Sequence, residues 1–337
     1  MTFSSIPVLN RRALLGSAAA SLLLAGCGRR LGPGELTSVD THPDGYPTVE
    51  GVRYFGALLR ERTGGRLDLN IYAGGQLGNE RDTLEITTFG GIDFNRVNLA
   101  PLNSIEPLTV VAALPFIFES TQHMRTVVDG PIGDAILASL EQHGLIGLCF
   151  YDSGARSFYN TRGPIRTPAD MRGLKLRVPG SDLYIEMVRS LGADAVPMPL
   201  DEVYQSLAQG VIDGAENNWP SFESGRHFEV APYYSLTRHL LAPEVFVMSK
   251  VTWDDLSPED RVTVKQAARD SVPHMRDLWD ARVAQSRETV LAAGVEVNDV
   301  DPAPFAEAMT GMWEASLATP EQRDLVDQIL ALRGGAS

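Results

Sequence analysis

The sequence predicts an α/β protein built as two domains, and three observations lead there. Strand-like and helix-like segments alternate along the chain. About 310 residues follow an N-terminal leader, more than one domain ordinarily holds. A helical pattern of unusual length runs from Ser257 to about Ala293, long enough to brace two lobes.

The leader is "NRRALLGSAAASLLLAGC": Arg11 and Arg12, then an uncharged apolar run ending at Cys27. The run is short for a bilayer span and has no stop-transfer flank, so residues 1–27 read as an export signal. The paired arginines suggest the twin-arginine route, although the usual aromatic does not follow them. "LAGC" resembles a lipobox, which would leave Cys27 lipidated; an ordinary cleaved signal is the alternative. Residues 28–38, opening with "GRRLGP", read as a Gly/Pro-rich tether.

Val52, Phe55, Leu58 and Leu59 recur at helical spacing before Gly64-Gly65 closes the segment. "RLDLNIYAGG" alternates as a strand. Asn79 heads a helix with acids in its first turn. "DFNRVNLAPL" returns to strand and loop, "VVAALPFIF" is apolar with a break at Pro115, and "GLIGLCFYDSGARSFYN" is an apolar strand entering a polar loop. Thr167-Pro168 opens one helical turn. "GLKLRVPG" then alternates Leu174, Leu176 and Val178 with Lys175 and Arg177, and stops at Pro179-Gly180. An amphipathic helix closes at Gly192 and another near Gly210, followed by a short strand and polar turn. "PEVFVMSKVTW" reads as a strand. The long helix starts at a Ser257 cap with Pro258 behind it; Pro273 lies inside, kinking it or splitting it in two.

The net charge is −14, and loss of the leader removes two arginines and no acid. Such acidity argues against nucleic acid and anionic lipid surfaces as partners. Cys149 stands among apolar residues as a buried strand cysteine, so no disulfide framework or cysteine metal site is expected. HExxH, GxSxG, Walker A and CxxC motifs are absent from the sequence, and the six histidines show no metal-ligand spacing. Neither metal nor cofactor is expected.

Polar residues cluster instead where strands run into loops. They are Asn95, Arg96 and Asn98; Asp152, Ser153 and Arg156; Arg177; and Glu216, Asn217, Asn218 and Trp219. In open α/β sheets the ligand crevice lies at such strand ends. Arginine suits two-pronged recognition of a carboxylate, and asparagine offers a donor and an acceptor together. The set fits a small polar anion. Each member also has an ordinary use: arginines pair with surplus acids, asparagines form turns, Trp219 packs a core, and His239 sits in an exposed loop.

These fragments, in this order, resemble the extracytoplasmic solute-binding receptors of TRAP transporters, the DctP-type family. "GGRLDLNIYAGGQLGNE", "LPFIF", "GARSFYNTRGPIRTPADMRGLKLRVPGSD", "GADAVPMPLDEVYQSLAQGVIDGAENN" and "SKVTWDDLSPEDR" carry the resemblance, from about His42 to Trp313. It implies a periplasmic-binding-protein-like fold: two α/β domains joined by hinge crossovers, with a long helix spanning both. The expected division puts residues 39–153 and 243–285 in the first domain and 154–242 and 286–332 in the second. It also implies a periplasmic receptor rather than an enzyme, partnered by a TRAP membrane permease. Arg177 would be the main carboxylate partner, with Arg156 and Asn217 supporting it.

"HPDGYPTV", "YDSGARSFYN", "AENNWPSF" and "RHFEVAPYYSLTRHLLAPEVFVMSK" are similar to members that bind sugar acids, hexuronates above all. Glu80, Asn98, Asp152 and His42 would serve ring hydroxyls, and Trp219 would cover an apolar ring face; His239 joins the candidates. Arg96 dissents, since it would suit a second anionic group of an aldaric, diketo or C4-dicarboxylic acid. A sugar-acid lyase or epimerase with Asp152 or Glu216 as base, and a sensor coupled to a membrane kinase, are the rivals from other classes.

Overall fold

The computed structural model describes residues 35–334. The expected leader, its Cys27 lipobox and most of the expected tether lie outside the described residues. The tether reading needs one correction. Glu35–Val39 form a strand, β1, whose Ser38 and Val39 are buried, because it pairs in parallel with a neighbour from Glu35↔Asp68 to Val39↔Tyr72.

The first sheet has the order β2-β1-β3-β10-β4, with β2 Asp68–Tyr72, β3 Phe94–Asn98, β4 Leu145–Tyr151 and β10 Glu244–Ser249. β10 runs antiparallel between β3 and β4. Helix α1 (Pro47–Arg62) buries Val52, Phe55 and Leu59, as its spacing predicts, and Thr63 caps it before Gly64. Helix α2 (Glu80–Thr88) begins where Asn79 accepts bonds from the amides of Arg81 and Asp82 at 3.0 Å. Behind β3, Leu99–Asn103 turn into α3 rather than loop, and Thr121–Val128 and Pro131–Ser139 add α4 and α5.

The second sheet has the order β11-β9-β5-β8-β6-β7. Its strands are β5 Arg156–Asn160, β6 Lys175–Val178, β7 Asp194–Pro197, β8 Gly214–Asn217, β9 Tyr233–Leu240 and β11 Glu296–Asp299. Helices α6 (Asp182–Ser190), α7 (Val203–Ala208) and α8 (Trp219–Ser224) accompany it. β9 carries His239 into the sheet and buries it completely, which removes the exposed-loop reading. A register shift opposite β9, with Arg238 at φ 45°, accommodates the irregular pairing.

Three connections cross between the sheets. Residues 152–155 lead from β4 to β5, so the expected single strand and loop is two strands in two sheets. Residues 241–243 return from β9 to β10. Then, after α9 (Lys250–Asp255), where the expected strand turns helical, the long helix α10 runs unbroken from Pro258 to Ala292 with Pro273 inside it. Met275 and Trp279 of α10 belong to the first-sheet core, and Val290 belongs to the second. The helix therefore braces both lobes. Gly154, at φ +60° in the first crossover, lies so close to Trp279 that a Cβ would stand 3.0 Å from its indole nitrogen. Only glycine suits both that conformation and that contact.

The chain ends with α11 (Ala303–Ser316) and α12 (Pro320–Ala331). α11 packs on α6 and β9 of the second sheet, but α12 packs on the turn Pro107–Ala113 and on α5. The expected division assigned both to the second domain. Ile329, Val326 and Leu325 join an apolar cluster that holds Leu108, Ile132 and Ile136 of the first lobe as well as Leu176 and Val178 of the second.

Candidate functional site

A cavity of about 580 Å³ opens between the lobes, lined by the carboxyl ends of β1, β3, β6 and β8 and by the start of antiparallel β10. Its size is that of a small-molecule site.

Arg177 reaches it from β6. Leu176 and Val178 are buried as the alternation predicts, but Arg177 is itself only 3% exposed. Its Nε donates to the Met198 carbonyl at 2.9 Å, and among the described residues it has no carboxylate within ion-pair distance. Burial pulls its guanidinium below the usual arginine range. A buried cation without a counter-ion is costly, and an anion entering the cleft would relieve that cost.

The other two buried arginines of the cavity are already committed. Arg156 Nε and Nη2 donate to Glu216 Oε2 and Oε1 at 2.6 and 2.7 Å, both residues being buried. Burial raises the Glu216 carboxyl, but the paired guanidinium outweighs it and holds the group at about 2. Arg96 is gripped on both sides. Its Nε donates to Asp40 Oδ2 at 2.9 Å, a second bond joins its Nη2 to Asp40 Oδ1, and its Nη1 donates to Glu80 Oε1 at 3.0 Å. Glu244 Oε2 lies 3.2 Å from that same Nη1. The expectation that Arg96 would serve a second ligand anion fails on this count: three carboxylates surround it.

The first-lobe wall is consequently acidic. Burial lifts the Glu80 carboxyl, while Arg96 and the Asn98 amide, donating at 2.8 Å, oppose the lift. Glu244 is buried too, but Arg96 and His42 hold it at about 2. His42 stacks on Tyr46 with ring centroids 3.8 Å apart and has Nε2 3.9 Å from Glu244. Asn98 uses Oδ1 to cap α3, and Asn217 uses Oδ1 on the Asn218 amide, so each keeps its NH₂ available at the cavity wall.

Seven expected residues thus line one cavity: His42, Glu80, Arg96, Asn98, Arg156, Arg177 and Asn217. Three do not. Asp152, the first residue of the crossover, is buried and clamped by Arg125 Nε at 2.7 Å and Arg276 Nε at 3.1 Å. Trp219 stacks on Tyr234 at 4.2 Å in the second-sheet core. His239 stacks on Phe158 and bonds Thr237 at 2.9 Å, with Nε2 3.5 Å from Glu216. All three lie at strand ends, but their side chains point elsewhere. Asp152 and Glu216, the bases an enzyme reading would need, are each tied to arginine, and neither lines the cavity.

The site also contains residues the sequence did not single out. Glu244 heads an apolar strand, a faint signal of a strand end. Asp40 follows β1, which looked like tether. His227 and Ser221 reach the cavity from the turn and helix after β8 and have no local signature.

The profile described as "Bacterial extracellular solute-binding protein, family 7", DctP, matches residues 38–319. A solute-binding protein of Chromohalobacter salexigens is 42% identical over 290 residues, covering 86% of each chain. The solved structure of a TRAP periplasmic solute-binding protein from a Bradyrhizobium, in complex with α/β-D-galacturonate, is 50% identical. It covers 88% of this chain and 99% of its own, with a TM-score of 0.86. One from Roseobacter denitrificans with bound β-D-glucuronate is 44% identical, with coverages of 88% and 98% and a TM-score of 0.85. Fold, crossovers and matches converge: this chain belongs to the DctP family of bacterial extracellular solute-binding proteins, the TRAP transporter receptors that bind solutes rather than transform them.

Proposed function

We propose that this receptor captures a hexuronate, such as galacturonate or glucuronate, with its carboxylate on Arg177 and its hydroxyls on the acidic wall of the first lobe. One observation carries the reading: of the three buried arginines at the cleft, Arg177 alone lacks a protein carboxylate among the described residues, and the fourth lining arginine, Arg81, is exposed to solvent. That leaves one buried cation for one ligand carboxylate. Glu80 and Glu244 accept hydroxyl donors and repel a second anionic group, which disfavours aldaric and C4-dicarboxylic acids. The hexuronates bound by the Bradyrhizobium and Roseobacter proteins agree with this class.

Binding works without chemistry. Ligand contacts from both lobes favour the closed arrangement over the open one, and the crossovers at 152–155 and 241–243 are the places to absorb the change. TRAP receptors of this kind are periplasmic and work with TRAP membrane subunits. Lipid attachment at Cys27, after export by the twin-arginine or general secretory route, completes the proposal; Cys27→Ala releasing the protein from membranes would test it.

The test of ligand class is a thermal-shift panel followed by calorimetry, with D-galacturonate, D-glucuronate, galactarate, 2,3-diketo-L-gulonate and succinate. The hexuronates should stabilise the protein stoichiometrically without being consumed. Stabilisation by galactarate or succinate but not by hexuronates overturns the reading.

A further inference from the structure

We propose that His227 is a second donor to the ligand acid: a neutral imidazole, fixed by Tyr159, whose Nε2–H donates into the cleft beside Arg177. This deepens the hexuronate reading and rests on it.

His227 begins a turn, His227–Glu229, directly after α8. It is 1% exposed, and it lines the cavity. Its Nδ1 lies 2.7 Å from Tyr159 Oη, while its Nε2 has no hydrogen-bond partner among the described residues. Nε2 keeps a trace of solvent access at the wall of a ligand cavity, so a ligand can take the place of water on it. Backbone on the other side leaves no room for another group there: a Cβ on Gly225 would stand 2.7 Å from Nε2.

The sheet brings this histidine to Arg177. Tyr159 on β5 and Arg177 on β6 both lie opposite Ala215 on β8, and cross-strand partners share a face. Small Ala215 therefore separates the tyrosine that holds His227 from the arginine that lacks a counter-ion. Burial, with the Arg177 charge adding to it, pulls the imidazole to about 3, so it is uncharged in the periplasm's range. The tautomer follows from Tyr159, which is fully buried and has no other side-chain partner among the described residues. Were its oxygen to accept from Nδ1–H, its own proton would have no acceptor. Donating to Nδ1 satisfies it and leaves the imidazole proton on Nε2. The carboxylate subsite then holds one cation and one neutral donor. It can make several bonds to a single carboxylate without gaining the second charge that a dicarboxylate would need.

The experiment compares wild type with His227→Phe, His227→Gln and Tyr159→Phe by calorimetric titration with D-galacturonate, and reads the wild-type imidazole by ¹⁵N NMR. His227→Phe should weaken binding about tenfold or more, and by leaving the Tyr159 hydroxyl without its acceptor should lower the ligand-free Tm; His227→Gln, which restores an N–H at similar reach, should recover most of the affinity. The ¹⁵N spectrum should show Nδ1 unprotonated, with the Nε2–H signal moving on addition of ligand. In Tyr159→Phe the tautomer preference should be lost. Equal affinity of His227→Phe and wild type overturns the inference, as does a glutamine variant no better than phenylalanine, or a proton on Nδ1. If wild type ignores both D-galacturonate and D-glucuronate, the ligand class is what fails. The same variants are then titrated with the acid the panel identifies, and the same comparison decides the role of His227. Should a variant fail to fold, the wild-type ¹⁵N signals decide alone.

Discussion

Arg156 and Glu216 meet through two parallel bonds of 2.6 and 2.7 Å inside the second sheet, 60 residues apart in sequence. They do so because β5 and β8 are antiparallel neighbours, with Phe158 opposite Glu216. Bidentate pairing of this kind consumes the guanidinium's fork. Arg156 therefore forms part of the cleft wall while its charge is already balanced, and Arg177 is left as the electrostatic centre of the site.

Arg177→Met should abolish tight binding while leaving the ligand-free protein at least as stable as wild type. Loss of the charge pair with the ligand costs about 3–5 kcal/mol of binding, the scale for a buried ion pair broken on one side. The ligand-free protein, by contrast, loses only an uncompensated buried cation. Calorimetric titration beside a melting curve checks both halves; a large fall in ligand-free Tm would contradict the second.

Glu216→Gln should show an acid-dependent penalty. The folded carboxyl is held at about 2, below its ordinary value near 4.5. Its contribution is present above pH 4.5 and disappears as pH falls towards 2, because the unfolded chain takes up the proton first. The gap between wild type and variant, about 3 kcal/mol at neutral pH, should therefore narrow between pH 5 and pH 3 in urea unfolding.

Asp152→Asn should affect stability more than ligand selection. Arg125 keeps Asp280 at 2.8 Å and Arg276 keeps Asp129 at 2.6 Å, so neither cation is stranded. A loss of about 1–2 kcal/mol in unfolding free energy, with hexuronate affinity within about threefold of wild type, is the expected outcome. A selective loss of affinity would return Asp152 to the ligand.

Gly214→Ala should be among the most damaging single methyl additions in the second lobe. The new Cβ would lie 2.3 Å from the Tyr159 carbonyl oxygen, which is backbone and cannot step aside as a side chain could. A destabilisation of about 3 kcal/mol is expected in chemical unfolding, with weakened ligand binding because Tyr159 and Arg177 flank this strand.

Local signals carried much of this molecule. The caps at Asn79 and Ser257, the alternation through Lys175–Val178, and the long helical pattern on either side of Pro273 depend on residues within a turn or a strand of one another. Arg177 at a strand end beside Pro179-Gly180 was legible for that reason. β1 was hidden because it follows a glycine- and proline-rich run and gains its order only by pairing with β2 and β3. β9 was hidden because it alternates weakly and earns burial from neighbours on either side.

The sequence by itself determined the α/β class, a helical stretch long enough for a brace, and which polar residues stand at strand ends. Tertiary structure alone decided which of them face the cleft. It turned Asp152 to Arg125 and Arg276, closed Arg96 among Asp40, Glu80 and Glu244, and brought unsignalled His227 beside Tyr159. The reason is physical: residue type and period specify a side chain's face within its own element, but its charge partner is chosen by strands and helices arriving from elsewhere in the chain.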